Sequence, residues 1–146
     1  MGLVTVPTAV LSPATDYAER VTSGEIVAGK LVRLACARHL RDMDHGHERG
    51  LHFDDDAAQQ AIDFFENVLV LTDGAFAGKP FALQPFQKFI VGSLFGWKGS
   101  DGYRRFRTAY IETGKGSGKS PLAAGIGLFG LTMDGEAGAE IYAAAV

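Results

Sequence analysis

The stretch Thr113-Gly-Lys-Gly-Ser-Gly-Lys-Ser120 decides the fold predicted for this chain of 146 residues. It follows the pattern of a phosphate-binding loop, which is Gly, any four residues, then Gly-Lys-Ser or Gly-Lys-Thr. Gly118, Lys119 and Ser120 match the end of that pattern, while Thr113 stands in its first glycine position. In such a loop, backbone N–H groups surround phosphate oxygens, and the following helix adds the positive end of its dipole.

The segments on either side of this loop support the interpretation. Residues 107–112 predict a short strand, and the apolar residues 122–131 predict a helix with Pro121 in its first turn, where a missing N–H costs little. Residues 139–145 predict a second, buried strand. A right-handed crossover would lay the two strands side by side and parallel, with the phosphate site at the carboxyl end of the first strand.

The rest of the chain predicts a helical arm. Residues 1–23, with two prolines and several Ser and Thr, predict a mobile arm. Helices are expected at about 25–43, after a cap at 54–56, and from about 84 to 95, with a polar loop at 42–56. The predicted fold class is therefore α/β, with a helical arm at 24–98 leading into a strand–loop–helix–strand unit at 103–146. That unit would be the first part of a parallel-sheet ATPase domain.

The loop chemistry predicts ATP and Mg²⁺ as ligands. Lys119 would reach the β- and γ-phosphates, and the Ser120 hydroxyl would ligate Mg²⁺. Gln87, which follows Pro85 at a predicted helix start, is the candidate adenine-binding residue, because an amide both donates and accepts hydrogen bonds. The alternative for Gln87 is a solvent-facing residue on a helix. The remaining predicted nucleotide contacts come from the loop itself: Gly114, Lys115, Gly116, Ser117 and Gly118.

Composition and charge narrow the remaining function classes. The net charge of −3 argues against broad electrostatic wrapping of nucleic acid. Cys36 is the only cysteine, which excludes an internal disulfide and a cysteine zinc cluster and fits a reducing cytosolic setting. The longest apolar stretches are too short to span a bilayer. The Asp, Glu and His residues between 42 and 54 favour a solvated loop over a metal site. Among Arg104, Arg105 and Arg107, one or two are expected to pair with carboxylates or nucleotide rather than with DNA phosphates.

Several segments together resemble the large terminase subunit of tailed bacteriophages. They are Gly24-Glu-Ile-Val-Ala-Gly29, Arg38-His-Leu-Arg-Asp42, Phe81-Ala-Leu-Gln-Pro-Phe-Gln87, Phe95-Gly-Trp-Lys98, Arg104-Arg-Phe-Arg107, Gly114-Lys-Gly-Ser-Gly-Lys-Ser120 and the tail from Asp134 to Ala145. The resemblance covers nearly everything after about residue 16, and only the start of that family's ATPase domain.

The resemblance implies an ATP-driven motor that packages double-stranded DNA, with a separate nuclease domain. It implies the portal and the small terminase subunit as partners, the host cytoplasm as location and a homo-oligomeric ring as the assembly of the full-length parent. The family usually has a basic residue, often Arg, four positions before the loop lysine. Lys115 holds that position here, as a catalytic candidate or a solvent-facing lysine.

No acidic strand follows the loop in this sequence, so the chain is expected to be an amino-terminal fragment without activity of its own. Two alternatives stay open. One is another P-loop enzyme, either a helicase-like motor or a small-molecule kinase, and the other is a truncated, non-catalytic interaction module.

Overall fold

Five α-helices are the main regular elements of residues 10–144, the part of the chain that this computed structural model describes. They are α1 (Pro13–Thr22), α2 (Lys30–His45), α3 (Asp55–Asn67), α4 (Pro85–Gly96) and α5 (Lys119–Thr132). Short 3₁₀ turns follow α2 at Gly46–Arg49 and precede α4 at Gly74–Phe76. Two short strands, β1 (His52–Phe53) and β2 (Trp97–Lys98), pair antiparallel, with Phe53 opposite Trp97.

Side-chain caps fix where three of these helices begin. Ser12 accepts a hydrogen bond from the Thr15 backbone N–H, and Asp54 accepts one from Ala57. At the start of α4, Gln84 and Gln87 form a reciprocal capping box, in which each side chain binds the backbone of the other residue. Each cap satisfies N–H groups that have no partner inside the helix. The predicted starts of α3 and α4 are therefore correct.

Helix α1 lies where the sequence indicated a mobile arm at 1–23. Ala14, Tyr17, Ala18 and Val21 are buried against α2 and α4, so this segment has an apolar face that the prediction overlooked. The Pro13 that suggested an extended arm instead occupies the first turn of the helix, where proline is tolerated. Residues 1–9 lie outside the described residues.

The main hydrophobic core lies between α3, α4 and α5. Phe65 and Val91 are fully buried in it, and the Phe95 ring packs at a tilt against Phe129 with ring centroids 4.5 Å apart. Gly125 allows α5 to approach α3, since a Cβ at this position would lie 2.3 Å from the Phe65 ring. This packing attaches the helix that follows the 113–120 loop to the helical arm.

The polar stretch at 42–56 is more ordered than the predicted loop. Helix α2 continues to His45, and the chain then forms the 3₁₀ turn and strand β1. Asp42, assigned to this loop, is in fact buried. Its burial is explained by the arginines that surround it, described below.

The two predicted parallel strands are not observed as strands. Residues 107–112 and 139–144 are irregular and pair with no strand of the described chain, while residue 145 lies outside the described residues. Ile141 is 52% exposed and Tyr142 86% exposed, although 139–145 was predicted to be buried. A parallel strand needs a neighbour on its edge and cover on both faces, and residues 10–144 provide neither here. The observed architecture is a helical assembly with a small two-stranded sheet, consistent with an incomplete α/β ATPase domain.

Within residues 10–144, no helix is both long enough and apolar enough to cross a membrane.

Candidate nucleotide-binding site

The loop at 113–120 leads directly into helix α5, as the sequence predicted. Gly118 caps the helix with a φ of +77°, and Gly116 has a φ of +83°. Both values favour glycine strongly. Among the described residues only glycines have a positive φ, so Thr113 lies in ordinary backbone space. The first position of the motif therefore does not need glycine in this chain.

The Lys119 ammonium lies against the backbone of the same loop. Its Nζ donates to the Thr113 carbonyl at 2.6 Å and to the Gly114 carbonyl at 3.0 Å. Within the described chain Lys119 forms no ion pair, and its side chain is exposed. The positive charge is thus held at the mouth of the loop by neutral carbonyls, where an anion can compete for it.

A chain of hydroxyl contacts crosses the loop. The Thr113 and Ser117 hydroxyls contact each other, and the Ser117 Oγ donates to the Gly114 carbonyl at 2.7 Å. Ser117 therefore links the first residue of the loop to the second. These contacts restrict the conformation of a segment that contains three glycines.

Gln87 reaches the loop from the start of α4. Its Oε1 accepts a hydrogen bond from the Gln84 backbone N–H at 2.8 Å, and its Nε2 donates to the Ser117 carbonyl at 3.4 Å. The side chain is buried, with the residue only 4% exposed, and a Cβ on Gly118 would lie 3.2 Å from its Nε2. The structure thus brings Gln87 and the loop together, with both ends of the amide bound to protein. Adenine binding by Gln87 stays a prediction.

Lys115 and Ser120 are both exposed on the loop and the first turn of α5. Neither side chain forms a hydrogen bond or an ion pair with the described residues. Ser120 lies next to Lys119 at the amino end of α5, which is compatible with the Mg²⁺ role predicted for it. The exposed Lys115 is free to reach a ligand at the loop or to remain in solvent.

A largely apolar cavity of about 310 Å³ lies beside the start of the loop. Its wall includes Tyr17 of α1, Val32 of α2, Phe86 and Phe89 of α4, and Thr113 of the segment that enters the loop. The sequence analysis did not find this cavity, because its wall combines residues from four separate segments.

A buried ion-pair cluster supports the segment leading to the loop. Asp42 has a fully buried side chain; its Oδ2 lies 2.8 Å from Arg105 Nη1, its Oδ1 contacts Arg49, and Arg41 lies 3.8 Å away. Burial alone would raise the pKa of Asp42, but the contact with Arg105 and the charges of Arg105, Arg49 and Arg41 outweigh it and lower that pKa. Arg105 also lies over the Trp97 ring, with its guanidinium carbon 5.2 Å from the centroid.

The expected pairing of the arginines near 105 is confirmed. Arg105 pairs with Asp42, and Arg104 pairs with Asp134 at 2.8 Å. Arg107 lies only within 4.0 Å of Asp101, and both side chains are exposed. Sequence spacing gave no indication that Asp42 would be a buried partner, since it lies 63 positions before Arg105.

The remaining candidate features are the possible metal ligands at 42–54 and the Cys36 thiol. In the described residues no group of three or more His, Cys, Asp or Glu side chains is placed to hold a metal ion. Burial raises the pKa of the Cys36 thiol to about 11, which keeps it protonated and unreactive at neutral pH.

The geometry thus defines a candidate anion site at the amino end of α5, built from a glycine-rich loop and a lysine. In comparisons with known proteins, residues 85–146 match the family model of the terminase large subunit, ATPase domain. This segment contains α4, the 113–120 loop and α5, so the chain is similar to the terminase ATPase domain over the part that holds the candidate site. No curated protein and no solved structure gives a significant match.

Proposed function

We propose that this chain binds ATP–Mg²⁺ at the 113–120 loop and forms part of the ATPase of a phage DNA-packaging terminase. The observation that carries the proposal is the position of Lys119 at the amino end of α5, where two loop carbonyls are the only partners of its ammonium among residues 10–144. A triphosphate offers this cation a stronger, charged partner, and the α5 dipole adds to the attraction.

The role that we propose for each residue follows from its position in the 113–120 loop or at the start of α5. Lys119 binds the β- and γ-phosphates, the Ser120 hydroxyl ligates Mg²⁺, and the N–H groups of 114–118 bind phosphate oxygens. Lys115 is the candidate for charge stabilisation at the γ-phosphate. As a lysine it supplies a point charge without the planar, two-pronged geometry of arginine.

Hydrolysis needs carboxylates that hold Mg²⁺ and orient water. Within residues 10–144 no carboxylate forms an ion pair with Lys115 or Lys119. We therefore infer that the acidic groups come from another part of the intact protein. In that protein, ATP turnover would drive the packaging of double-stranded DNA. The proposed partners are the portal and the small terminase subunit, and the proposed assembly is a homo-oligomeric ring.

The family match favours a terminase over the two alternatives, another P-loop enzyme and a non-catalytic interaction module. A helicase-like motor or a kinase would share the loop, and an interaction module would need no nucleotide. The segment that matches the terminase ATPase model runs from Pro85 through the loop, so it includes Gln87 as well as Lys119.

Calorimetric titration with ATP–Mg²⁺ tests the proposal. Lys119→Ala removes a charge-assisted contact worth roughly 1.5–3 kcal/mol, so affinity should fall about ten- to a hundredfold. Lys79→Ala is the matched control, because Lys79 is also exposed but lies over the Phe76 ring and, in the described chain, forms no hydrogen bond with the loop. Equal affinity in wild type and Lys119→Ala would contradict the proposal.

A further inference from the structure

Thr113, the residue that departs from the phosphate-binding pattern, takes part in a specific network. Its hydroxyl contacts the Ser117 hydroxyl, which itself donates to the Gly114 carbonyl at 2.7 Å. Because Ser117 uses its single proton on Gly114, the proton shared between the two hydroxyls comes from Thr113. Thr113 is therefore a donor that a glycine in this position could not replace.

The same short segment holds the lysine. Lys119 Nζ donates to the backbone carbonyls of Thr113 and Gly114, the two residues that the hydroxyl network ties to Ser117. On its far side, the Ser117 carbonyl accepts from Gln87 Nε2. A continuous set of hydrogen bonds thus runs from the start of α4, through Ser117, to the Lys119 ammonium.

This network matters because the loop is otherwise costly to order. Gly114, Gly116 and Gly118 lose more conformational freedom on ordering than other residues would. A cross-link between positions 113 and 117 restricts the loop before the ligand arrives, and preorganisation of this kind improves affinity by lowering the ordering cost of binding.

We propose that Thr113 is a positioning residue for phosphate binding, acting through Ser117 and the two carbonyls to hold Lys119 at the mouth of the loop. The inference rests on the proposed function, since it concerns the same site. It explains why threonine replaces glycine here: the backbone does not require glycine at 113, and the side chain supplies a contact.

The test measures binding of Mg²⁺–pyrophosphate and Mg²⁺–ATP by calorimetry to four variants of the protein. Pyrophosphate has no base, so it reports on the loop alone. Thr113→Val keeps the shape of the side chain and removes the donor, and it should weaken binding of both ligands about two- to tenfold. Thr113→Ser keeps the hydroxyl and should bind within about twofold of wild type.

A variant of the second hydroxyl, Ser117→Ala, makes the test independent of folding defects in Thr113→Val. Ser117→Ala removes the other hydroxyl and should weaken binding by a similar factor. The double variant, Thr113→Val with Ser117→Ala, should be no weaker than Ser117→Ala alone, because both changes break one network. Melting temperatures followed by circular dichroism should stay near wild type, which a general loss of structure would not allow.

The results separate this inference from the proposed function. Absence of ATP binding by wild-type protein would contradict the proposed function. Wild-type binding that depends on Lys119 but is unchanged in Thr113→Val and Ser117→Ala would overturn only the role of Thr113. Equal loss in Thr113→Ser and Thr113→Val would also overturn it, since the hydroxyl would then be irrelevant.

Discussion

The Trp97 indole N–H donates to His39 Nδ1 at 3.0 Å, at the junction of α2 and β2. Because Nδ1 accepts this bond, His39 carries its proton on Nε2, which lies 2.9 Å from the Thr15 hydroxyl. His39 is 3% exposed, and its ring meets those of Phe53 and Trp97 edge to face. A neutral histidine is thus built into the packing of α1, α2 and β2.

We predict that protonation of His39 destabilises the fold. Burial lowers the pKa of His39 to about 4, with the charge of Asp42 opposing the shift and those of Arg105 and Arg38 adding to it. The unfolded chain binds the proton below about pH 6.5, while the folded chain does so only near pH 4, so stability should fall as pH drops across this window. The loss should be roughly 3 kcal/mol.

Urea denaturation at several pH values between 7.5 and 4 measures this slope. His39→Gln should flatten it, even if the variant is less stable at neutral pH. His47→Gln is the control, because His47 is exposed and should leave the slope unchanged. A slope that persists in His39→Gln would show that another group titrates.

We predict that Asp42→Asn is strongly destabilising. The change leaves Arg105, whose side chain is 16% exposed, without its counter-charge in a buried site. Removing one member of a buried pair costs about 3–5 kcal/mol. Asp101→Asn removes the charge from the exposed contact with Arg107 but keeps an Oδ1 that can accept from the Tyr103 N–H, so it should cost less than about 1 kcal/mol. Similar denaturation midpoints for the two variants would contradict this account.

The helices, more than the sheet, could be predicted from the sequence. Caps such as Asp54 and the Gln84–Gln87 pair are local signals, and the starts of α3 and α4 followed from them. Helix α1 was not predicted, because Pro7 and Pro13 suggested an extended arm and the apolar face of the segment was overlooked. The Asp42–Arg105 pair and the 310 Å³ cavity depend on segments far apart in sequence, which local patterns do not bring together.

Gly118 should tolerate substitution less well than Gly114. Gly118 has a φ of +77°, and an added Cβ would lie 3.2 Å from Gln87 Nε2, whereas Gly114 has no atom within 4 Å of that position. Alanine at a positive φ costs about 1 kcal/mol or more. We expect Gly118→Ala to weaken ATP binding several-fold and Gly114→Ala to change it little, as measured by calorimetry. Equal effects would show that the loop rearranges on binding.

Gln87→Ala distinguishes two roles for the amide. Because both of its ends bind protein and the side chain is buried, we expect the variant to lose ATP and GTP affinity in equal proportion, through a looser loop. Competition titrations with both nucleotides give the ratio. A selective loss of ATP affinity would show that Gln87 leaves this network and binds adenine, as the sequence first indicated.

The final prediction concerns turnover. Phosphoryl transfer to water needs a held Mg²⁺, an oriented water and charge stabilisation at the γ-phosphate. Residues 10–144 offer a phosphate site with Lys119, Ser120 and Lys115, but bring no carboxylate into an ion pair with either lysine. We therefore expect purified residues 1–146 to bind nucleotide weakly and to release no phosphate above background.

A longer protein that includes the rest of the ATPase domain should hydrolyse ATP, and Lys119→Ala should abolish that activity. Phosphate release by the two proteins, assayed side by side with and without Mg²⁺, makes the comparison. Turnover by residues 1–146 that disappears in Lys119→Ala would refute the prediction. A carboxylate within this chain, such as the exposed Glu112 beside Thr113, would then have to serve the reaction.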